Sequence, residues 1–221
     1  EMCIRDRLSA TSAIQVGGRI SLVGEDIELA STSLIDTSGD LGGGDILIGG
    51  DWQGGKYKTK KIFEEKIYSS NKVILNKGSL IKSDALKQGD GGNIVVWSDI
   101  DNQTSKTLVA GEITAKGGVI EGNGGNIETS GYLLELNDYH ISTKATYGYD
   151  GNWLLDPGNI NISNSGIDAL PGNNGPGGDT TISPTTITNA LDFNNISIKT
   201  GSGNYNININ DPISWTSSNN L

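Results

Sequence analysis

Residues 39–55 read GDLGGGDILIGGDWQGG. About half of this stretch is glycine, yet Ile46, Leu47, Ile48 and Trp52 sit inside it. Three structures explain such a mixture: a loop that cradles phosphate, a calcium-binding roll, or a strand held between tight corners. A phosphate cradle needs a helix after its glycines, so that free amides and the helix dipole meet the anion. Here Gly43-Gly44 runs into Asp45-Ile46-Leu47-Ile48, a strand pattern, and no Gly-Lys-Ser/Thr occurs anywhere. GSGNYN at 201–206 likewise leads into the alternating Asn206-Ile207-Asn208-Ile209. A calcium roll repeats glycine and aspartate every nine residues. Asp36 and Asp45 keep that beat, Asp40 and Asp51 break it, and no third copy follows. Corner, strand, corner is the reading that remains.

The same unit recurs. Two glycines, a polar residue and an alternating strand appear at Gly17-Gly18-Arg19-Ile20, Gly43-Gly44-Asp45-Ile46, Gly91-Gly92-Asn93-Ile94 and Gly124-Gly125-Asn126-Ile127. A second unit, Ser33-Leu34-Ile35-Asp36-Thr37, returns as Ser79-Leu80-Ile81-Lys82-Ser83, Gly111-Glu112-Ile113-Thr114-Ala115 and His140-Ile141-Ser142-Thr143. The first glycines of the four pairs lie 26, 48 and 33 residues apart. The long gap is close to two shorter ones and contains the strand pattern Lys72-Val73-Ile74-Leu75-Asn76, so two repeats are expected there.

A period of this length made only of strand and turn is the mark of a β-solenoid. One rung cannot bury its inward side chains alone; stacked on the next, it buries isoleucine on isoleucine. The expected core is Ile20, Ile35, Ile46, Ile48, Ile81, Ile94, Val96, Ile113, Ile127 and Ile141. The expected turns are at Gly43, Gly44, Gly91, Gly92, Gly124 and Gly125, where the chain needs either φ > 0 or a missing side chain. Asn at the bends can hydrogen-bond its copies in neighbouring rungs.

Composition agrees. The chain has 27 Ile, 18 Leu, 7 Val and only 2 Phe, with 32 Gly among 221 residues. Its formal charge of −10 argues against nucleic acid as a partner, because phosphate binding needs a basic face. The charge is uneven: nine of sixteen basic residues lie between Lys56 and Lys87. The Lys-rich segment at 54–70 is expected to protrude, with Lys56, Lys58, Lys60 and Lys61 as candidate partner contacts.

The opening EMCIRDR shows neither strand alternation nor turn chemistry, so residues 1–8 read as a non-native scar that holds the single cysteine, Cys3. Residues 9–157 read as rungs. Residues 158–221 read as a turn-rich insertion followed by resumed strands, with a C-terminal end that looks cut. Within this last part, Ser183 and Pro184 suit the cap and first position of a short helix.

No catalytic residue, metal or cofactor is assigned from the sequence. The nearest acid candidates are Asp84 and Asp90 in a turn, and Asp99 and Asp101, which are spaced to share one strand face. His140 is the lone histidine. Trp97 and Trp153 sit at strand ends and read as packing residues, with sugar stacking as the alternative.

These blocks also carry a resemblance. Ile35-Asp36-Thr37-Ser38-Gly39 followed by Gly42 to Asp51 and Gln53-Gly54 resembles the large filamentous-haemagglutinin-type exoproteins of bacterial two-partner secretion. So do Asp84-Ala85 with Gly89 to Asp99, Gly124 to Gly131, and Trp153-Leu154-Leu155-Asp156-Pro157, in order from about Gly17 to Asn161. The resemblance implies an all-β, right-handed parallel β-helix, exported through an outer-membrane pore protein and presented at the cell surface in adhesion. It implies more of the same β-helix at both ends. A toxin-bearing stalk, a surface that binds host glycan or receptor, and a polysaccharide-degrading β-helix enzyme are the alternatives.

Overall fold

A computed structural model describes residues 2–55, 67–164, 179–201 and 203–221. The chain winds through short strands that repeat in threes. The first rung is β1 (Met2–Ile4), β2 (Arg7–Ser9) and β3 (Arg19–Leu22), and the second is β4 (Asp26–Leu29), β5 (Leu34–Asp36) and β6 (Asp45–Ile48). The third is β7 (Lys72–Leu75), β8 (Leu80–Lys82) and β9 (Asn93–Trp97). The fourth is β10 (Lys106–Val109), β11 (Glu112–Thr114) and β12 (Asn126–Gly131). The fifth is β13 (Leu133–Leu136), β14 (His140–Ser142) and β15 (Asn152–Pro157).

Each strand pairs in parallel with its counterpart in the next rung, which makes three sheets. The first runs β1-β4-β7-β10-β13 and the second β2-β5-β8-β11-β14. The third starts β3-β6-β9-β12-β15 and is extended by β18 (Asn195–Ile198). The architecture is therefore all-β, parallel and solenoid-like.

The inward columns form the core. In the second sheet, Leu8, Ile35, Ile81, Ile113 and Ile141 stack in register. In the third sheet the column is Ile20, Ile46, Ile94, Ile127, Trp153 and Ile196. Branched side chains with one preferred rotamer stack well at the strand spacing. All ten expected core residues belong here, and nine are buried. Ile20 is half-buried because β3 is the outermost strand of its sheet.

The double glycines are needed for closeness. None of the six has positive φ. A Cβ on Gly92 would land on the Gly44 carbonyl oxygen, and one on Gly125 on that of Gly92. Asn93 and Asn126 donate their amides to those same carbonyls, 2.9 Å away in each case. Rungs approach so tightly at this corner that no side chain fits between them.

The structure corrects two expectations. The 48-residue gap is a single rung, since β6 pairs directly with β9, Asp45 opposite Asn93. The extra length leaves the rung after Gly49 and returns at Ser70, whose amide donates to the Gly49 carbonyl at 2.8 Å. The segment 1–8, read as a scar without strand character, contributes β1 and most of β2, which pair with β4 and β5. A three-residue strand is too short to display alternation; its register comes from the next rung.

Beyond the fifth rung the pattern changes. β16 (Ile160–Ile162) pairs with β17 (Thr180–Ile182) and β19 (Ile207–Ile209) in a separate three-stranded sheet. Helix α1 (Pro184–Ala190) has Ser183 as its cap, accepting the Thr186 amide, and Pro184 at its start. The buried Asn194 accepts the Thr143 amide at 2.9 Å and donates to the Ile141 carbonyl, so the turn after α1 covers the edge of the second sheet. Strands thus resume as expected at 195–198 and 207–209, although residues 165–178, within the expected turn-rich insertion, lie outside the described residues.

Candidate functional site

A strand facing water should alternate apolar-in with polar-out. The third sheet departs from that rule. Its outward column reads Ser21, Leu47, Val95, Glu128, Leu154 and Ser197. The four middle members are fully buried. Leu47, Val95 and Leu154 form a second apolar cluster with Trp52, Trp97 and Ile100, and Ile67 packs against it.

What covers this face is the base of the insertion. Gly49, at φ +76°, turns the chain out of the rung, and Trp52–Gly55 makes a tight turn with left-handed backbone at Gln53 and Gly54. Gly50 and Gly54 lie against the Trp97 ring, where a side chain would collide with it. The Trp97 indole N–H donates to Ser69 Oγ at 3.0 Å, tying the returning strand of the insertion to the rod. The Gly49–Ser70 hydrogen bond closes the neck.

Glu128 lies in the middle of this dry interface. Its Oε2 accepts the Gln53 amide at 2.8 Å, and its Oε1 accepts the Ser130 hydroxyl at 2.9 Å. Gln53 takes the left-handed conformation (φ 49°, ψ 41°), uncommon for a residue with a side chain. Burial pushes the Glu128 carboxyl up to about 8. The Gln53 and Ser130 hydrogen bonds pull it down, the Asp156 carboxylate raises it, and Lys199 lowers it. The side chain is therefore mostly neutral at pH 7, a carboxylic acid that holds the turn to the sheet. A glutamate in a strand next to two threonine- and serine-bearing positions carries no sign of this in the sequence.

Lys56, Lys58, Lys60 and Lys61 lie outside the described residues. The acids considered for catalysis are spent in turns. Asp84 accepts Thr114 Oγ1 at 3.0 Å and the Lys116 amide at 2.8 Å. Asp90 accepts the Asn123 amide at 2.7 Å. Asp99 and Asp101 do not share a strand face: the chain has left β9, and Asp99 Oδ1 accepts the Asp101 amide at 3.1 Å in a local turn. Trp153 points inward and donates to Thr129 Oγ1 at 3.0 Å. His140 stands edge-on to Phe193, ring centroids 5.3 Å apart.

A polar column runs beside the double glycines. Arg19 pairs with Asp45 at 2.9 Å, Asn93 donates to Asp45 at 3.0 Å, and Asn126 donates to Asn93 at 3.1 Å. These ladders, the stacked glycines and the isoleucine columns together make a repetitive rod with one decorated face. Among the described residues, no group of three or more His, Cys, Asp or Glu is placed to hold a metal ion, and no helix is long and apolar enough to cross a membrane. No protein-family model matches the chain, and neither does any curated protein.

Proposed function

We propose that the chain is a stalk segment of a secreted bacterial surface exoprotein, a right-handed parallel β-helix of the filamentous-haemagglutinin type that supports adhesion without catalysis. The observation that carries this reading is the register: three parallel sheets whose inward columns stay in step through five rungs, so that length is added rung by rung. In such a stack each rung is stabilised by its neighbours, which suits a spacer that holds a tip away from a cell. The sequence blocks from Gly17 to Asn161 supply the likeness to exported adhesins. Export through an outer-membrane pore protein belongs to the same proposal, and a chain whose single cysteine is Cys3 threads without cross-links. A stalk that carries a toxin would use the same segment in the same way.

The test is replacement within the full-length exoprotein. If the segment is a spacer, exchanging residues 9–157 for an equal number of rungs from an unrelated β-helix leaves attachment to host cells intact. Loss of attachment by a correctly exported chimera overturns the spacer reading and favours recognition by the segment itself.

That second reading, host glycan or receptor binding through Lys56, Lys58, Lys60 and Lys61, is favoured by the concentration of positive charge there, nine of the sixteen basic residues lying between Lys56 and Lys87. A glycan array probed with the purified chain and with a variant lacking the four lysines separates it from the first.

A further inference from the structure

A second surface stands apart from the insertion. On the outer side of the second sheet, rungs three to five and the turn after α1 enclose a groove of about 440 Å³. This is within the size range of small-ligand sites, roughly 300–1,000 Å³. Its apolar walls are Leu86, Val119 and Phe193, which are 45, 60 and 40 % exposed. Exposed apolar side chains gathered in one concavity suit the apolar part of a ligand.

The polar groups of the groove select the ligand. Lys116 and Lys144 both line it. Lys144 is held by Asp150 at 3.2 Å and by the Asp192 carbonyl at 2.9 Å. Lys116 is half-buried, and among the described residues no ion pair holds its ammonium group. The groove's own acid, Asp84, already accepts from Thr114 and from the Lys116 amide and forms a long ion pair with Lys82 at 3.9 Å. An ammonium group without an ion-pair partner, in a groove that also holds exposed apolar side chains, suits an anion with an apolar body.

We propose that this groove binds an organic carboxylate with an aromatic or branched apolar body, the chemistry presented by the C-terminal apolar residue of a peptide. The carboxylate meets Lys116, and the apolar body lies between Leu86, Val119 and Phe193, beside His140. The inference is independent of the stalk reading, because it concerns a side of the rod that a spacer does not need.

His140 is the single histidine, so its imidazole C–H resonances report on the groove without assignment. The full chain is titrated with N-acetylphenylalanine, its neutral amide, the peptide Ala-Ala-Phe, and glucuronate. The expected result is a saturable shift of the His140 signals with N-acetylphenylalanine, weakened at least about tenfold for the amide, since a charge-assisted contact is lost. Lys116→Met weakens the acid similarly while leaving thermal unfolding unchanged. Leu86→Ser, at an exposed position, weakens both acid and amide. Tighter binding of Ala-Ala-Phe identifies a peptide terminus as the source of the carboxylate, and equal binding a free acid. Equal shifts with acid and amide, a response to glucuronate alone, or no response to any probe overturns the proposal.

Discussion

The second and third sheets are built from the same repeat and meet different surroundings. In the second sheet the inner face is dry and the outer face only partly so. Its inward column from Ile35 to Ile141 is buried; on the outer face Thr114 and Ser142 are buried, while Leu34, Leu80, Glu112 and His140 are half-buried or exposed. In the third sheet both faces are dry, because the base of the insertion seals Leu47, Val95, Glu128 and Leu154 from outside. The difference teaches that a rung's inner face is an intrinsic property of its repeat. The role of its outer face is assigned by whatever the chain lays over it.

The largest expected effect ignores this distinction. Ile94→Asp places an unpaired charge in the inner column and should cost about 4 kcal/mol or more, melting the adjoining rungs. Ile81→Asp in the second sheet should cost about as much. An unchanged circular-dichroism melt for either variant would remove the shared core from which the comparison starts.

The next effect belongs to the third sheet alone. The Glu128 carboxyl is raised from its unfolded value of 4.5 to about 8, so the folded state holds this proton more tightly than the unfolded state. Its contribution to stability is complete below about pH 4.5 and is lost as pH rises through about 8. The slope is at most about 1.4 kcal/mol per pH unit. Glu128→Gln keeps the shape and an acceptor for Gln53, and should flatten the pH dependence of urea unfolding between these limits. A variant whose pH profile overlays the parent would show that Glu128 is not dry.

Truncation of outward residues sharpens the contrast directly. Leu47→Ala should cost about 2–4 kcal/mol, as for a buried leucine. Leu80→Ala, its counterpart on the half-wet outer column, should cost under about 1 kcal/mol. Chemical denaturation of the two variants measures the pair, and equal losses would erase the distinction. The smallest effect is in the polar ladder. Asn93→Ala removes one donor to Asp45 and one acceptor for Asn126, and should cost about 0.5–1.5 kcal/mol. Exchange of the neighbouring amides would rise, localised to the bends.

Much of the fold is legible in the residues. Short apolar, branched runs bounded by glycine and polar turn residues, such as Ile46-Leu47-Ile48 and Ile94-Val95-Val96, declare strands without any knowledge of neighbours. The Ser183-Pro184 start of α1 is equally local. The candidate sites are less legible. Glu128 looks like an ordinary outward polar residue until the insertion covers it. The groove is assembled from three rungs and Phe193, distant in sequence.

By itself, then, the sequence determined the strands, the corners, the inward isoleucines and the stacking asparagines, because each follows from short-range backbone geometry. The tertiary structure decided three things. The 48-residue gap became one rung, since a closed neck at Gly49 and Ser70 lets the excess leave, and each doubling of a loop costs only about 0.6 kcal/mol. The double glycines proved to serve contact rather than positive φ, which depends on how closely Gly44, Gly92 and Gly125 stack. The outer face of the third sheet became a second core. Burial of an outward side chain is a property of what packs on it, and that is set by contacts between residues far apart along the chain.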